Sequence, residues 1–369
     1  MIPVNTPRLD GNEKKYLIEC IDSGWISSEG PFVSQLEEGM CRLTGRKFGI
    51  AVCNGSMALE IAVHALHIGP GDEVIMPTLT IISCAAAVVR AGATPVFVDV
   101  DPDTWNMRAD LVEKAVTRRT RAIMVVHIYG LPVDMDPILA TAEKHGLTVI
   151  EDAAEVHGQT YKGRPCGSFG ALSTFSFYPN KHVTTGEGGM ILSDDPELAE
   201  RCRSLRNLCF QKRRFVHEEL GWNARMSNLQ AAVGVAQLER LSEFLVRKRQ
   251  IGNLYTKLLD GVPELQLPLV QTAYAENAFW VFGVVLKPEV SVSAEVVMHL
   301  LAQREIGTRP FFYPMHQQPV FAGKYLSTTA FPSAEHLGEQ GFYLPSGLAL
   351  TDDEIDTVAE AVRDVINKV

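Results

Sequence analysis

The chain has 369 residues, 46% hydrophobic and 21% charged, which is typical of a soluble globular protein with a large core and two domains. Its 34 basic and 44 acidic residues give a formal charge of −10, which argues against a nucleic-acid-binding protein. The seven cysteines are scattered and show neither CxxC spacing nor a disulfide framework, so we expect a reducing, cytoplasmic location and no metal site.

The amino terminus, residues 1–7, has no basic stretch followed by an apolar one, so we expect no signal peptide. No apolar run reaches the roughly 18 residues that a membrane span needs. We therefore expect no membrane partner.

Residues 9–23 predict a first helix, and Gly, Ser and Pro residues in the segment 24–31 predict a loop after it. Trp25 is a large apolar side chain in that loop. It either packs against its own domain or lies beside a ligand, and the residues alone leave both readings open.

A short apolar run at residues 48–53 is followed by Asn54-Gly-Ser56 and a helix-like segment at 57–66. A glycine and a hydroxyl residue at the start of a helix form a good anion site, because free amides and the helix dipole point at the bound charge. From these residues alone, a simple helix cap at Ser56 is the favoured alternative.

From residue 73 to residue 158, strand-like runs alternate with helical stretches, which predicts a mostly parallel sheet covered by helices. In chain order the segments are 73–76, 81–91, 94–100, 111–116, 122–127, 138–145 and 147–150. Ligands in such folds bind at the carboxyl ends of the strands. Ser56, the run 151–155 and Lys181 all follow such ends.

Asp152 lies at the end of an apolar strand. An acidic residue there can be buried opposite a cation, such as the protonated ring nitrogen of a bound cofactor. As an isolated observation, a helix cap explains an aspartate at this position more often.

Lys181 lies in a loop between two apolar runs, 171–178 and 190–192, and three glycines follow it in the segment 186–189. A lysine between strands can be partly desolvated, and desolvation lowers an amine's pKa enough to free its lone pair for attack on a carbonyl. A solvated lysine in a glycine-rich hairpin is the competing interpretation.

Residues 196–206 predict a helix, and the segment 207–221 predicts a loop that carries Lys212, Arg213 and Arg214. A basic triplet is usually a solvated face, but a diphosphate would also bind there, and both readings stay open.

We place a large α/β domain at residues 1–260, ending in a long connecting helix at about 227–259, and a smaller α+β domain at 261–369. In the second domain the pattern predicts a strand at 279–286, a helix at 294–306 and a final helix that opens with a capping box at 351–354.

The segment Ser-Phe-x-x-x-Lys-x-x-Thr-x-Gly-Glu-Gly-Gly at 176–189 closely resembles the lysine segment of the pyridoxal phosphate (PLP)-dependent sugar aminotransferases of the DegT/DnrJ/StrS type. Asn-Gly-Ser-x-Ala-Leu at 54–59, Glu-Asp-Ala-Ala-Glu at 151–155 and Gly-x-Asn-x-Arg-Met at 221–226 match further segments in the right order. The resemblance therefore covers nearly the whole chain and implies the fold-type I architecture of PLP-dependent enzymes.

The resemblance implies a role for each matching residue. Lys181 would hold PLP as a Schiff base and later move the proton, Asp152 would pair with the ring nitrogen, and Glu155 would lie near the ring hydroxyl. The phosphate would be held by the group Gly55, Ser56, the Met57 amide, Ser176 and Asn223. Because Asn223 reaches the cofactor of the other subunit in the family, the resemblance also implies a homodimer.

Within the family, Glu155 and the pattern Thr-Arg-Pro-x-Phe-x-Pro-x-His at 308–316 resemble the GDP-perosamine synthases. That implies transfer of an amino group from L-glutamate to the C4 keto carbon of GDP-4-keto-6-deoxymannose, for a surface polysaccharide such as the O-antigen of lipopolysaccharide. UDP- or dTDP-linked keto sugars are the alternative substrates, and a non-catalytic regulatory protein is a third reading. Candidate substrate contacts are Trp25, Arg213, Arg309, Tyr313 and His316.

One position departs from the family pattern. Members commonly have an aromatic residue that stacks on the cofactor where this chain has Ile81. Aliphatic packing would replace the ring at a loss of roughly 0.5 to 1.5 kcal/mol. A dehydratase offshoot of the family has histidine in place of the lysine, whereas Lys181 is retained here, so the aminotransferase reading stands.

Overall fold

The computed structural model describes residues 1–213, 215–321, 324–325 and 330–368. Arg214, one residue of the basic triplet, lies outside these described residues. The helices are α1 Glu13–Ser23, α2 Pro31–Thr44, α3 Gly55–Ala65, α4 Ile82–Arg90, α5 Ala109–Ala115, α6 Met135–His145, α7 Pro196–Arg206, α8 Asn228–Glu239, α9 Leu241–Leu259, α10 Ala294–Ala302, α11 Pro332–Gln340 and α12 Asp352–Ile366, with a 3₁₀ turn at Met315–Gln317.

The strands are short, and most are apolar. They are β1 Phe48–Val52, β2 Glu73–Pro77, β3 Thr94–Val98, β4 Thr120–Val126, β5 Thr148–Asp152, β6 Thr160–Tyr161, β7 Arg164–Pro165, β8 Leu172–Ser176, β9 Gly189–Ser193, β10 Leu265–Gln266, β11 Phe282–Leu286, β12 Arg309–Pro310 and β13 Gly341–Leu344.

A seven-stranded sheet in the order β1-β9-β8-β5-β4-β2-β3 forms the centre of the molecule. The five strands from β8 to β3 in that order pair in parallel, and β9 pairs antiparallel with β8 and β1. Every residue of β2 is buried, as expected for a parallel strand that helices cover on both faces. The predicted alternation between residues 73 and 158 is thus confirmed as β2-α4-β3-α5-β4-α6-β5.

The parallel strands end at one edge of this sheet, and the predicted site residues follow them there. β5 ends at Asp152, β8 ends at Ser176, and α3 starts three residues after β1. This edge therefore collects groups that are far apart in the sequence, as parallel α/β folds do at their ligand sites.

A second, antiparallel sheet has the order β10-β11-β13-β12. The predicted strand at 279–286 and helix at 294–306 are confirmed in shorter form as β11 and α10. The capping box is confirmed as well, since the Thr351 hydroxyl accepts from the Glu354 amide and the Glu354 carboxylate accepts from the Thr351 amide. A domain boundary at residue 260 stays a prediction.

The single long helix expected at 227–259 is wrong, because the chain forms α8 and α9 with Arg240 between them. Arg240 has φ −109° and ψ 6°, outside the helical region, and its guanidinium pairs with Asp10 and Glu243. α8 packs against α1 and α2, whereas α9 packs against α12. Two different packing partners explain the break. The first helix also begins later than expected, at Glu13.

None of the helices in the described ranges is both long and apolar enough to cross a membrane.

Candidate active site

A cavity of about 560 Å³ opens at the carboxyl edge of the large sheet. It brings together six of the residues predicted to bind the cofactor, which come from three separate stretches of the chain: Gly55, Ser56, Asp152, Glu155, Ser176 and Lys181.

Lys181 follows β8 in a tight turn, where its amide donates to the Tyr178 carbonyl at 2.9 Å. Its side chain is only 10% exposed. The amine Nζ lies 3.3 Å from Glu155 Oε1 and 3.6 Å from the centroid of the Trp280 ring. The amine is therefore held at the cavity wall between a carboxylate and an indole face.

Glu155 is buried, and its second oxygen accepts a hydrogen bond from the Tyr129 amide at 2.8 Å. Burial raises the pKa of Glu155 to about 7, although the nearby Lys181 amine acts in the opposite direction. A carboxyl group with such a pKa can hold or release a proton near neutral pH beside the amine.

Asp152 ends β5 and is 3% exposed. Its carboxylate accepts from the Ala154 amide at 3.1 Å and from the Cys84 thiol at 3.3 Å. Burial raises the pKa of Asp152, because a charged carboxylate loses its hydration inside the protein. A cation that pairs with the carboxylate would offset this cost, as a protonated ring nitrogen would.

The start of α3 is arranged differently from the expectation. The cap is Asn54, not Ser56, since Asn54 Oδ1 accepts from the Met57 amide at 2.9 Å. The Met57 amide therefore already has an acceptor in this structure, which corrects its expected role as a phosphate donor. The Ser56 hydroxyl instead faces the cavity, and the first amides of a helix have no partner within it.

Gly55 is needed for the close approach of α3 to β8. A Cβ at this position would lie 2.7 Å from Ser176 Cβ, closer than side chains pack. The absence of a side chain at Gly55 thus allows the Ser176 hydroxyl to lie beside the start of α3 in the cavity.

The residues present fit PLP. The cofactor has an aldehyde, a ring nitrogen and a phosphate, and the cavity offers an amine, a buried carboxylate, and hydroxyls with helix amides. The Thr174 hydroxyl also lines the cavity and is buried without a hydrogen-bond partner in the part of the chain that the structure describes. A bound molecule that completes this wall would supply the missing partner.

Among the predicted substrate residues, only Arg309 lines the cavity, where it is exposed. Trp25 is 50% exposed in the loop before α2, and Arg213 and Tyr313 are also exposed outside the cavity lining. Asn223 is exposed and accepts from the Arg225 guanidinium at 2.8 Å. The structure of one chain therefore does not bring these four residues to the cofactor end of the site.

His316 lies outside the cavity lining, and its ring is held by internal contacts, so its substrate contact stays a prediction. Its Nδ1 lies 2.7 Å from the Thr78 hydroxyl and its Nε2 lies 3.1 Å from Glu335 Oε1. The ring stacks on Phe331 with a centroid distance of 4.2 Å. These contacts make it an internal link between chain segments.

The residues of the site that were not recognised in the sequence include Cys84, Tyr129 and Trp280. Tyr129 has φ +53°, a conformation that non-glycine residues rarely adopt, and its ring stacks on Trp280 at 6.1 Å. Trp280 precedes β11, a hundred residues from the carbonyl of Asn180 to which its indole N–H donates. No local pattern reveals contacts over such separations.

Comparison with known proteins agrees with this geometry. The DegT/DnrJ/EryC1/StrS aminotransferase family model matches residues 7–363. The GDP-perosamine synthase of Caulobacter vibrioides is 45% identical over 367 residues, covering 99% of this chain and 98% of the relative. That of Escherichia coli O157:H7 is 40% identical, covering 98% of each.

A solved structure, DesI in the presence of its TDP-sugar product, superposes with a TM-score of 0.91 at 33% identity, covering 100% of this chain and 94% of that one. Fold and sequence thus point to one family over the full length. The chain belongs to the DegT/DnrJ/EryC1/StrS aminotransferase family, with the fold-type I architecture, and is a PLP-dependent sugar aminotransferase.

Proposed function

We propose that this aminotransferase moves an amino group from L-glutamate to the C4 keto carbon of GDP-4-keto-6-deoxymannose and forms GDP-perosamine. The observation that carries the chemistry is the meeting of Lys181, Asp152 and the Ser56 hydroxyl in one cavity. The choice of sugar is supported by the full-length similarity to GDP-perosamine synthases. GDP-perosamine would be formed in the cytoplasm and would supply the sugar for a surface polysaccharide such as O-antigen.

PLP, when bound, supplies an aldehyde that takes up the amino group and a ring that stores the electron pair released at carbon. Lys181 would attach through Nζ and, once displaced, carry the proton between substrate and cofactor carbons. Asp152 would keep a proton on the ring nitrogen. Glu155, with a pKa of about 7, would hold a proton beside Lys181 Nζ and near the ring hydroxyl.

The phosphate would be held by the hydroxyls of Ser56 and Ser176 and by the amides of Gly55 and Ser56, and all three residues line the cavity. Asn223 would contribute from the other subunit of a homodimer. Asn223 is exposed and does not line the cavity of its own chain, which supports this assignment.

Arg309 is an exposed cation of the cavity lining, and its guanidinium suits a diphosphate or the carboxylate of glutamate. Trp25, Arg213 and Tyr313 would contact the nucleotide sugar in the assembled dimer. Since a sugar nucleotide is longer than the cofactor, contacts from exposed loops are needed to bind its outer part.

The first test is the absorption spectrum of the protein with PLP, before and after L-glutamate. We expect a visible band of lysine-bound cofactor that bleaches with glutamate. Lys181→Ala should lack the band, whereas Lys287→Ala, an exposed lysine outside the cavity, should keep it. An unchanged band in Lys181→Ala would refute the assigned role of the lysine.

The second test is a panel of GDP-, UDP- and dTDP-linked 4-keto-6-deoxy sugars with L-glutamate as donor. We expect the GDP-linked sugar to give the highest kcat/KM. Preference for a dTDP-linked sugar, the nucleotide type of the DesI product, would leave the cofactor chemistry intact and move the protein to the alternative substrate class.

A further inference from the structure

Ser83 forms a hydroxyl pair with a residue of the proposed phosphate site. Its Oγ lies 2.7 Å from Ser56 Oγ, and both residues line the cavity. Ser83 belongs to the first turn of α4, 27 residues away in the sequence. The pair therefore joins the starts of two helices at one point.

Both helix starts favour an anion at this point. α3 has 11 residues and α4 has 9, so each has a helix dipole with free amides in its first turn. The Ser176 hydroxyl abuts Gly55 on the other side. A phosphate at the start of α3 would thus meet hydroxyls from three elements of the fold.

The Ser83 hydroxyl has no role in its own helix. α4 is preceded by Ile81, with no side-chain cap, and among the described residues Ser56 Oγ is the one hydrogen-bond partner recorded for Ser83 Oγ. A hydroxyl pair has two protons and uses one internally, so at least one remains for an outside acceptor. A phosphate group accepts hydrogen bonds and does not donate them, so it can accept the remaining hydroxyl proton.

The presence of Ile81 makes a phosphate contact at Ser83 more important for cofactor affinity. It lines the cavity and is 41% exposed, two residues before Ser83. An aliphatic side chain has no π face to stack on a pyridine ring, and stacking is worth roughly two- to tenfold in affinity. With less affinity from the ring, binding depends more on the phosphate.

We propose that Ser83 is a phosphate-binding residue of the cofactor site, acting directly beside Ser56. The inference rests on the proposed function, because it assigns the occupant of the cavity as a pyridoxal phosphate compound. It predicts that Ser83 contributes to recognition of the phosphate and not of the ring.

The test compares two ligands that differ only in the phosphate, pyridoxamine 5′-phosphate and pyridoxamine. Neither has an aldehyde, so binding does not require attachment to Lys181. Calorimetric titration of protein freed of cofactor gives both Kd values. Ser83→Ala should weaken the phosphate ligand roughly tenfold, because a hydrogen bond to a charged group is lost, and should leave pyridoxamine unchanged.

Three control variants sharpen the comparison. Ser83→Thr keeps the hydroxyl and should retain most of the affinity for the phosphate ligand, which also covers the case in which the alanine variant does not fold. Ser293→Ala removes a serine at the start of α10, away from the cavity, and should change neither Kd. Ile81→Tyr should strengthen both ligands alike by about two- to tenfold.

Several outcomes would overturn the inference. Equal weakening of both ligands by Ser83→Ala, or no change in either, excludes a phosphate contact. Loss of the Ser83→Ala effect in a Ser56→Ala background would mean that Ser83 only orients Ser56. A native protein that binds neither ligand would refute the proposed function itself, whereas one that prefers the phosphate ligand regardless of Ser83 would refute this inference alone.

Discussion

Lys181 Nζ and Glu155 Oε1 form a buried ion pair at 3.3 Å, at the edge of the sheet where the reactive groups meet. Both side chains are at most 10% exposed. The pair links the turn after β8 to the segment after β5, so the position of the amine depends on both. It also places a carboxyl group with a pKa of about 7 beside the proposed reactive amine.

The raised pKa of Glu155 predicts a pH-dependent stability. Its pKa rises from 4.5 to about 7 on folding, so the folded chain binds this proton more tightly than the unfolded chain. The stability it contributes is complete below about pH 4.5 and is lost as the pH rises through 7. The loss is on the order of 3 kcal/mol.

Glu155→Gln has no such proton, so its unfolding free energy should fall less than that of the native protein between pH 5 and pH 8. Denaturant titrations of the cofactor-free proteins over this range would measure the two slopes. Parallel curves would contradict the raised pKa of Glu155.

Removal of the Cys84 thiol should weaken cofactor binding, because the thiol donates a hydrogen bond to the carboxylate of Asp152. Cys84→Val removes the donor to Asp152 Oδ2 at similar volume, so the carboxylate loses one of its two recorded hydrogen bonds. We expect pyridoxamine 5′-phosphate to bind about fivefold more weakly, because a hydrogen bond of roughly 1 kcal/mol is lost. Cys84→Ser should restore binding. Cys166→Val, another buried thiol, should have no effect on the Kd.

The lowered pKa of Lys248 predicts that stability rises with pH, opposite to the effect of Glu155. Its buried amine donates to the carbonyls of Trp280 and Ser346, both at 2.6 Å, and burial lowers its pKa to about 7. The unfolded lysine keeps its proton to about pH 10. Native stability should therefore rise from pH 7 to pH 10, since the unfolded state binds more protons in this range.

Lys248→Met should remove that rise and cost about 1 to 3 kcal/mol, because two buried carbonyls lose their donor. Lys257→Met, an exposed lysine of the same helix α9, provides the matched control and should keep the native pH profile. Thermal or denaturant unfolding measures both. A rise of equal size in Lys248→Met would contradict the assignment of the titrating group.

The proposed role of Asn223 predicts that two inactive variants, one at Asn223 and one at Lys181, complement each other in a mixed dimer. If it serves the cofactor of the other subunit, Asn223→Ala and Lys181→Ala damage different parts of the same shared site. Mixed dimers of the two variants would contain one intact site, so random mixing should recover about a quarter of the sites. Transaminase activity after co-refolding, at limiting PLP, measures the recovery. No recovery would place Asn223 in its own subunit's site or outside any site.

The alternation of apolar runs and helical patterns between residues 73 and 158 was enough to predict the parallel sheet. It follows from local chemistry, since buried strands need apolar residues and each parallel connection needs a covering helix. The lysine segment around Lys181 and the acidic run around Asp152 predicted the cofactor chemistry through family resemblance. These signals are short, continuous stretches of residues.

The contacts that refine the site were not predictable in this way. Cys84 meets Asp152 across 68 residues, and Ser83 meets Ser56 across 27. Each pair is made by helices and strands that lie side by side only after the sheet has formed. The periodicity at 227–259 likewise could not show the break at Arg240, which packing against different helices imposes.

The sequence by itself determined the alternation of strands and helices between residues 73 and 158, the family and the reactive types of side chain, because these depend on local patterns and on matched segments. Only the tertiary structure decided which residue caps α3 and that the His316 ring contacts Thr78 and Glu335. It also decided which donors lie beside Asp152 and Ser56. Hydrogen bonds need partners within about 3.5 Å, and such distances arise only when remote parts of the chain pack together.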